Sequence, residues 1–263
     1  MRLWRIWIAA LLGLLLSLVA QADSGKIGVV VMHGKGGSPD KLVADLARGL
    51  QAKGMLVANL EMSWSGRRNY DVDVAHAEAE VDNAIAQLQQ QGAARIFVAG
   101  HSQGGAFATY YAGRHPLAGL VAITPGGSSA SQIAQEKLGD KVALARQMVD
   151  AGKANETAQF ADFEGSRGVY AITTTAASYL SWFDPQGAMN LNQAVSQIKA
   201  ATPVLWIVAQ HDYPPLRKSN IPLYDKLPAN PLNQLYQPDT DHKGAPTASL
   251  DKIADWIQQV AAH

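Results

Sequence analysis

Short apolar runs alternate along the chain with segments in which apolar residues recur at helical spacing. Because a run that is apolar throughout is typical of a strand buried on both faces, these runs predict the strands of a parallel sheet. Helical spacing between the runs predicts connecting helices, so we expect an α/β fold: a mostly parallel sheet of about six strands with helices on both faces. The predicted strands occupy residues 26–32, 55–60, 94–99, 120–124 and 203–209, with a weaker one at 233–237.

The alternation is interrupted over residues 128–200, which are rich in Ala, Gln and Ser. This stretch shows helical patterns at residues 133–137 and 143–151 but no run typical of a buried strand. We interpret it as a helical lid insertion over the C-terminal edge of the sheet. Residues 191–198 are expected to form a packing helix within it. The length of 263 residues fits one domain, expected at residues 23–263.

A glycine-flanked serine stands between a predicted strand and a predicted helix. Residues 100–104 read Gly-His-Ser-Gln-Gly, which is a G-x-S-x-G motif. Glycines on both sides of a serine let a strand and a helix approach without Cβ clashes, so the spacing predicts a sharp turn that exposes the Ser102 hydroxyl. An ordinary Gly-Ser loop is the alternative, and the flanking strand and helix favour the turn.

A second glycine-rich segment, residues 33–37, follows the first predicted strand. It does not match a dinucleotide-binding fingerprint, because the third glycine of that motif would fall on Pro39. The chain also has no G-x-x-x-x-G-K-[ST] phosphate-binding motif. The segment can instead present backbone N–H groups to an oxyanion, and Lys35 is the candidate donor.

Two later predicted strands are followed by an acid and a histidine. Asp212 comes just after the strand at residues 203–209, where a carboxylate can orient a histidine at the same edge of the sheet. His242 lies in a loop after the weaker strand. Asp239 and Asp241 are alternative acids, but they lie too near His242 in sequence to come from a separate strand end.

The early glycine loop, the G-x-S-x-G turn, and the order Ser102, Asp212, His242 together resemble the α/β-hydrolase superfamily, in its secreted bacterial serine esterase and lipase branch. The resemblance covers nearly the whole chain after the N-terminal segment. It implies an α/β-hydrolase fold in which Ser102 attacks an acyl carbonyl, His242 transfers the proton and Asp212 orients the imidazole. Backbone N–H groups of Lys35 and Gln103 would then form the oxyanion hole.

Other histidines are weaker choices than His242 for the base. Those at positions 33 and 101 lie inside motifs and are expected to be structural, those at 76 and 115 fall on or beside helices, and those at 211 and 263 do not follow the acid in such a loop. Aromatic residues are expected to line the substrate pocket: Trp64, Tyr179, Trp182, Phe183 and Tyr213.

Charge and cysteine content narrow the function classes. Basic and acidic residues both number 22, so we expect a small-molecule partner and no nucleic acid or anionic membrane. The absence of cysteine excludes a disulfide framework and a thiolate nucleophile. No H-E-x-x-H or comparable spacing occurs, so the sequence predicts neither a metal nor a cofactor.

The N-terminal residues 1–22 have the pattern of a signal peptide. Arg2 and Arg5 precede an apolar stretch that ends in Ala20-Gln21-Ala22, the small-x-small pattern of a cleavage site. The stretch is shorter than the ~20 residues of a membrane-spanning helix. We therefore expect cleavage, export to the periplasm or the medium, and no membrane span afterwards; a retained anchor is the alternative.

The sequence as a whole predicts a serine hydrolase that cleaves carboxylic esters without a cofactor. A thioesterase or an amidase/peptidase is an alternative, because the same three residues serve all acyl transfers. A non-catalytic binding protein on a hydrolase scaffold is the alternative from another class.

Overall fold

The computed structural model describes residues 25–165 and 167–263, so the predicted signal segment lies outside the described residues. Its strands are β1 (Lys26–Met32), β2 (Leu56–Leu60), β3 (Ala93–His101), β4 (Gly119–Ile123), β5 (Thr157–Glu164), β6 (Gly168–Thr175), β7 (Val204–Ile207) and β8 (Gln234–Tyr236). Six of them form a parallel main sheet in the order β2-β1-β3-β4-β7-β8, and β5 pairs with β6 in a separate antiparallel hairpin. The six-stranded parallel sheet confirms the predicted fold class.

Helices cover both faces of this sheet. They are α1 (Ala44–Ala52), α2 (Val74–Gln90), α3 (Gln103–Arg114), α4 (Gln132–Asp150), α5 (Ala176–Phe183), α6 (Leu191–Gln197), α7 (Pro214–Tyr224), α8 (Ala245–Ala248) and α9 (Leu250–Ala261). Within the described part of the chain, none of them has the length and apolar character needed to cross a bilayer.

The side chains of β1 show why the predicted strands read as continuous apolar runs. Successive strand residues point to opposite faces. Val29 and Val31 belong to a core completed by α1 and α9, whereas Val30 and Met32 belong to a second core under α2, α3 and the insertion. Both faces are therefore buried, and alternation with polar residues is lost.

The insertion differs from the helical lid that the sequence predicts. Helices α4 and α6 lie where helical patterns occur, but residues 157–164 and 168–175 form the β5–β6 hairpin. Phe160 and Ile172, which pair across the two strands, are buried on one face of this hairpin together with Asp162 and Thr174. Ala161 is buried on the opposite face, and most of the remaining residues stay partly or fully exposed. Because its strands are only half-buried and rich in Ala and Thr, no continuous apolar run marks them.

The carboxyl ends of the parallel strands bring the residues of the predicted site to one edge of the sheet. β1 leads into the glycine loop at residues 33–37, and β3 leads directly into Ser102. β7 precedes Asp212, and β8 precedes His242. An isolated parallel bridge between His211 and Asp241 continues the β7–β8 pairing toward the last two loops.

Candidate active site

Ser102 stands at the junction of β3 and α3 in a strained backbone conformation. Its φ of 56° and ψ of −117° lie outside the regions that non-glycine residues favour, at a cost of about 1–3 kcal/mol. The Ser102 N–H donates to the Ile123 carbonyl at 2.9 Å, and the Gly126 N–H donates to the Ser102 carbonyl at 3.0 Å. These two bonds from β4 and the loop after it hold the serine in the predicted sharp turn.

The two glycines of the motif are required by close backbone approach. A Cβ atom on Gly100 would overlap the Gly104 carbonyl, and a Cβ atom on Gly104 would lie 2.5 Å from the Met32 carbonyl oxygen. The glycine loop after β1 is equally close, since a Cβ on Gly34 would lie 3.1 Å from the Ser102 Cβ. The serine, the elbow helix and the glycine loop therefore pack against one another.

Asp212 and His242 form a buried pair. His242 Nδ1 lies 2.8 Å from Asp212 Oδ1, and the Tyr213 N–H donates to the same oxygen at 2.7 Å. Asp212 is 4% exposed and His242 is 9% exposed. An ionised carboxylate can only accept, so Nδ1 of His242 carries the proton and Nε2 is left as an acceptor, which is the tautomer that a general base needs.

His101, the neighbour of Ser102, links the elbow to the His242 loop. Its Nε2–H donates to the His242 carbonyl at 2.8 Å, and the two ring centroids lie 4.9 Å apart. Desolvation lowers the pKa of His101 to about 3, so the ring is neutral at physiological pH. The contact brings the His242 backbone to the residue that precedes the serine.

The glycine loop is fixed by the segment after β2. The buried His33 ring donates from Nδ1 to the Gly34 carbonyl at 2.8 Å and accepts from the Met62 N–H at 3.1 Å, and burial lowers the pKa of His33. The Trp64 indole N–H donates to the His33 carbonyl at 2.9 Å, and the Gly36 N–H donates to the Trp64 carbonyl at 2.9 Å. These bonds set the backbone on both sides of position 35.

The N–H groups of Lys35 and Gln103 are both available at this edge. Within residues 25–165 and 167–263, no acceptor is bonded to the Lys35 N–H. Gln103 is the first residue of α3, and the first N–H groups of a helix have no partner inside it. An anion placed here would also meet the positive end of the α3 dipole.

A sequence model of the alpha/beta hydrolase family matches residues 9–260. The chain belongs to this family. The predicted resemblance is therefore confirmed at the level of the hydrolase family. No significant match was found among curated protein sequences.

Solved structures of the same fold include lipases and esterases. A structure from work on LipS and LipT, two metagenome-derived lipolytic enzymes, is 20% identical, with 89% of this chain and 95% of that chain covered and a TM-score of 0.61. A monoacylglycerol lipase from Paleococcus ferrophilus is 21% identical (89% and 94% covered, TM-score 0.60). A thermostable carboxyl esterase from Bacillus coagulans is 14% identical (90% and 90% covered, TM-score 0.60). At these identities the similarity shows the fold.

The rival acids and histidines of this hydrolase are engaged elsewhere. Asp239 bonds to the His211 ring at 2.8 Å, and both side chains are largely exposed. Asp241 accepts from the Gly244 N–H at 2.7 Å and so shapes the loop that follows His242. The remaining histidines lie apart from the pair: at the start of α2 (His76), at the end of α3 (His115) and at the C-terminus (His263).

Most of the aromatic residues expected to line a pocket are instead core residues, which corrects that prediction for three of them. Trp64, Tyr179 and Trp182 are each no more than 2% exposed. They pack edge-to-face or in stacks, and the polar atom of each donates to a backbone carbonyl, so burial leaves nothing unsatisfied. Phe183 lines a cavity of about 580 Å³ beneath α4. Tyr213, 38% exposed, has its ring centroid 5.0 Å from that of His242.

One residue next to the glycine loop, Asp162 in β5, was not among the predicted site residues. Its side chain is fully buried and forms an ion pair with Lys35. The signal that marks it is an acid inside the run Phe160-Ala161-Asp162-Phe163, where its neighbours are apolar. A buried carboxylate needs partners, but its position in an unpredicted hairpin gave no indication of which ones.

Proposed function

We propose that the protein is a serine hydrolase that cleaves carboxylic esters through Ser102, His242 and Asp212. The observation that carries the proposal is the buried Asp212–His242 bond of 2.8 Å, in a loop whose backbone is held by the residue preceding the strained Ser102. A buried carboxylate that fixes the tautomer of a histidine, in a loop tied to the residue before an elbow serine, suits acyl transfer.

The proposed reaction runs through an acyl-enzyme. Ser102 Oγ attacks the ester carbonyl while His242 Nε2 takes its proton, and Asp212 stabilises the imidazolium that forms. The tetrahedral oxyanion receives hydrogen bonds from the N–H groups of Lys35 and Gln103, each typically worth about 3 kcal/mol. His242 then returns the proton to the leaving alcohol. Water repeats the sequence on the acyl-enzyme and releases the acid.

The choice of esters is supported by the lipases and esterases among the structural neighbours. It is tested by measuring hydrolysis of p-nitrophenyl acetate, butyrate and palmitate, of a matched thioester and of a matched anilide. Turnover of the esters, with the thioester and the anilide much slower, is the expected result. A faster thioester or anilide would replace the ester assignment by one of the other acyl transfers.

The nucleophile is tested with a matched pair of serine variants. Ser102→Ala should abolish turnover and labelling by a fluorophosphonate, whereas Ser196→Ala, an exposed serine on α6, should leave both unchanged. Native protein that hydrolyses none of the substrates and does not react with the fluorophosphonate would contradict the enzyme proposal and favour a non-catalytic binding protein.

We further propose that the hydrolase is exported to the periplasm or the medium after cleavage that follows Ala22. The support is the basic, apolar and small-x-small pattern of residues 1–22. Mass spectrometry of the protein from the extracytoplasmic fraction should find Ala22 absent and Asp23 at the N-terminus. Retention of Met1 in that fraction would contradict cleavage.

A further inference from the structure

The buried carboxylate of Asp162 accepts hydrogen bonds from four donors. Oδ1 accepts from the Lys35 ammonium and from the Phe163 N–H at 2.6 Å. Oδ2 accepts from the Tyr70 hydroxyl at 2.8 Å and from the Tyr170 hydroxyl at 2.9 Å. The side chain has no exposed surface. A charge this deeply buried persists only where its partners satisfy it, and here each oxygen has two.

Two of these four donors connect Asp162 to the residues that would form the oxyanion hole: Lys35 is one of those residues, and Tyr70 contacts the other, Gln103. The Lys35 ammonium is fixed at two points, because it also donates to the Phe163 carbonyl at 3.0 Å. On the other side, Gln103 Nε2 donates to the Tyr70 hydroxyl at 3.2 Å, and that hydroxyl donates onward to Asp162. One carboxylate from the insertion therefore holds the side chains of both Lys35 and Gln103.

We propose that Asp162 is a positioning residue for the oxyanion hole, acting on Lys35 directly and on Gln103 through Tyr70. The inference rests on the proposed function. The loop that carries Lys35 has glycine at positions 34, 36 and 37, so its backbone conformation depends on bonds from other segments. Trp64 supplies two of them, to the His33 carbonyl and from the Gly36 N–H, and the Asp162 ion pair adds a restraint on Lys35 itself. Oxyanion stabilisation depends on donors that are fixed before the reaction, and a 1 Å displacement can cost about 10²-fold in rate.

Tyr70 is itself held firmly enough to transmit this restraint. It is 2% exposed, and its carbonyl accepts from the Thr174 and Ser178 hydroxyls at 2.6 Å and 2.7 Å. Its φ of 62° is unusual for a tyrosine and aims the side chain into the core between the insertion and α3. The Tyr70 backbone is thus anchored to the insertion that supplies Asp162.

Two tyrosines on the same carboxylate oxygen provide a matched test. Tyr70→Phe and Tyr170→Phe each remove one hydroxyl from Oδ2, but only Tyr70 reaches Gln103. With p-nitrophenyl butyrate we expect Tyr70→Phe to lower kcat about tenfold with KM within twofold, and Tyr170→Phe to leave both within twofold. Inhibition by a phenylboronic acid, which mimics the tetrahedral intermediate, should weaken by the same factor as kcat/KM.

A double-mutant cycle separates positioning from general stability. Gln103→Met removes the other end of the link and keeps the backbone N–H. If Tyr70 acts through Gln103, the losses in kcat of the two single variants will not add in the double variant. Gln103→Met also tests the link by itself if Tyr70→Phe lacks a cooperative thermal transition, and the same kcat loss at constant KM is expected.

The two levels of proposal fail in different ways. If turnover depends on Ser102, three results would overturn the role of Asp162 and leave the proposed function standing. They are equal effects of Tyr70→Phe and Tyr170→Phe, a change in KM only, and an additive cycle. A kcat that stays native in Gln103→Met does the same. Native protein without Ser102-dependent turnover overturns the proposed function and this inference with it.

Discussion

Replacing Asp212 by asparagine tests what the buried carboxylate contributes, because the structure dictates how the new amide must lie. His242 Nδ1 and the Tyr213 N–H both donate to Oδ1, at 2.8 and 2.7 Å. An amide nitrogen at that position would face two donors, so the Asp212→Asn variant must place its amide oxygen there. The His242 tautomer is then preserved, and the negative charge is what the substitution removes.

The expected loss follows from the missing charge. An imidazolium and a carboxylate whose charges are about 4 Å apart attract by about 4 kcal/mol at an effective dielectric constant of 20. Removing that attraction from the transition state lowers kcat by about 10³-fold. This is less than the ~10⁴-fold expected where an asparagine imposes the wrong tautomer. Oδ2 already lacks a partner among the described residues, so the amide nitrogen that replaces it should change stability little.

The assay is kcat for p-nitrophenyl butyrate, with thermal unfolding followed in parallel. Asp239→Asn is the matched control, because Asp239 also bonds to a histidine at 2.8 Å but is exposed, and it should keep native kcat. A loss of less than tenfold in Asp212→Asn, or an equal loss in Asp239→Asn, would refute the assignment of the orienting acid.

Three further predictions concern the framework of the site. Gly104→Ala should abolish activity and lower stability by several kcal/mol, because the new Cβ would lie 2.5 Å from the Met32 carbonyl oxygen; unfolding in urea with a native midpoint would contradict the elbow packing. The pKa of His101, lowered to about 3 by burial, means that the unfolded chain binds a proton that the folded chain excludes below pH 6.5. The contribution of His101 to the free energy of unfolding is therefore fully present above pH 6.5 and should fall by about 3 kcal/mol by pH 4. His33, whose pKa burial also lowers, adds to this loss in the same direction. In urea unfolding, His101→Gln should make the free energy of unfolding depend less on pH. Ser131→Ala, which removes the cap on the Ala134 N–H at the start of α4, should cost about 1 kcal/mol of stability while kcat stays native; an unchanged melting temperature would argue against the cap.

Local sequence patterns predicted the segments whose residues all share one environment, such as strands that are buried along their length. Strands buried on both faces appear as nearly continuous apolar runs, so the parallel sheet was predictable from residues 26–32 and 94–99. The β5–β6 hairpin was not predicted, because its half-buried strands show no continuous apolar run. The aromatic residues near the insertion were also misplaced, because an aromatic side chain is equally suited to a pocket and to a core.

The sequence by itself determined the elbow, since a strained serine between glycines is set by five adjacent residues and the strand and helix that flank them. It also placed Asp212 and His242 after strands whose ends share one edge of the sheet. Only the tertiary structure decided which acid meets which histidine, and that Asp162 reaches Lys35 across 127 positions of sequence. Spacing records local geometry and burial, whereas partners so distant in sequence are chosen by how the insertion folds back onto the sheet.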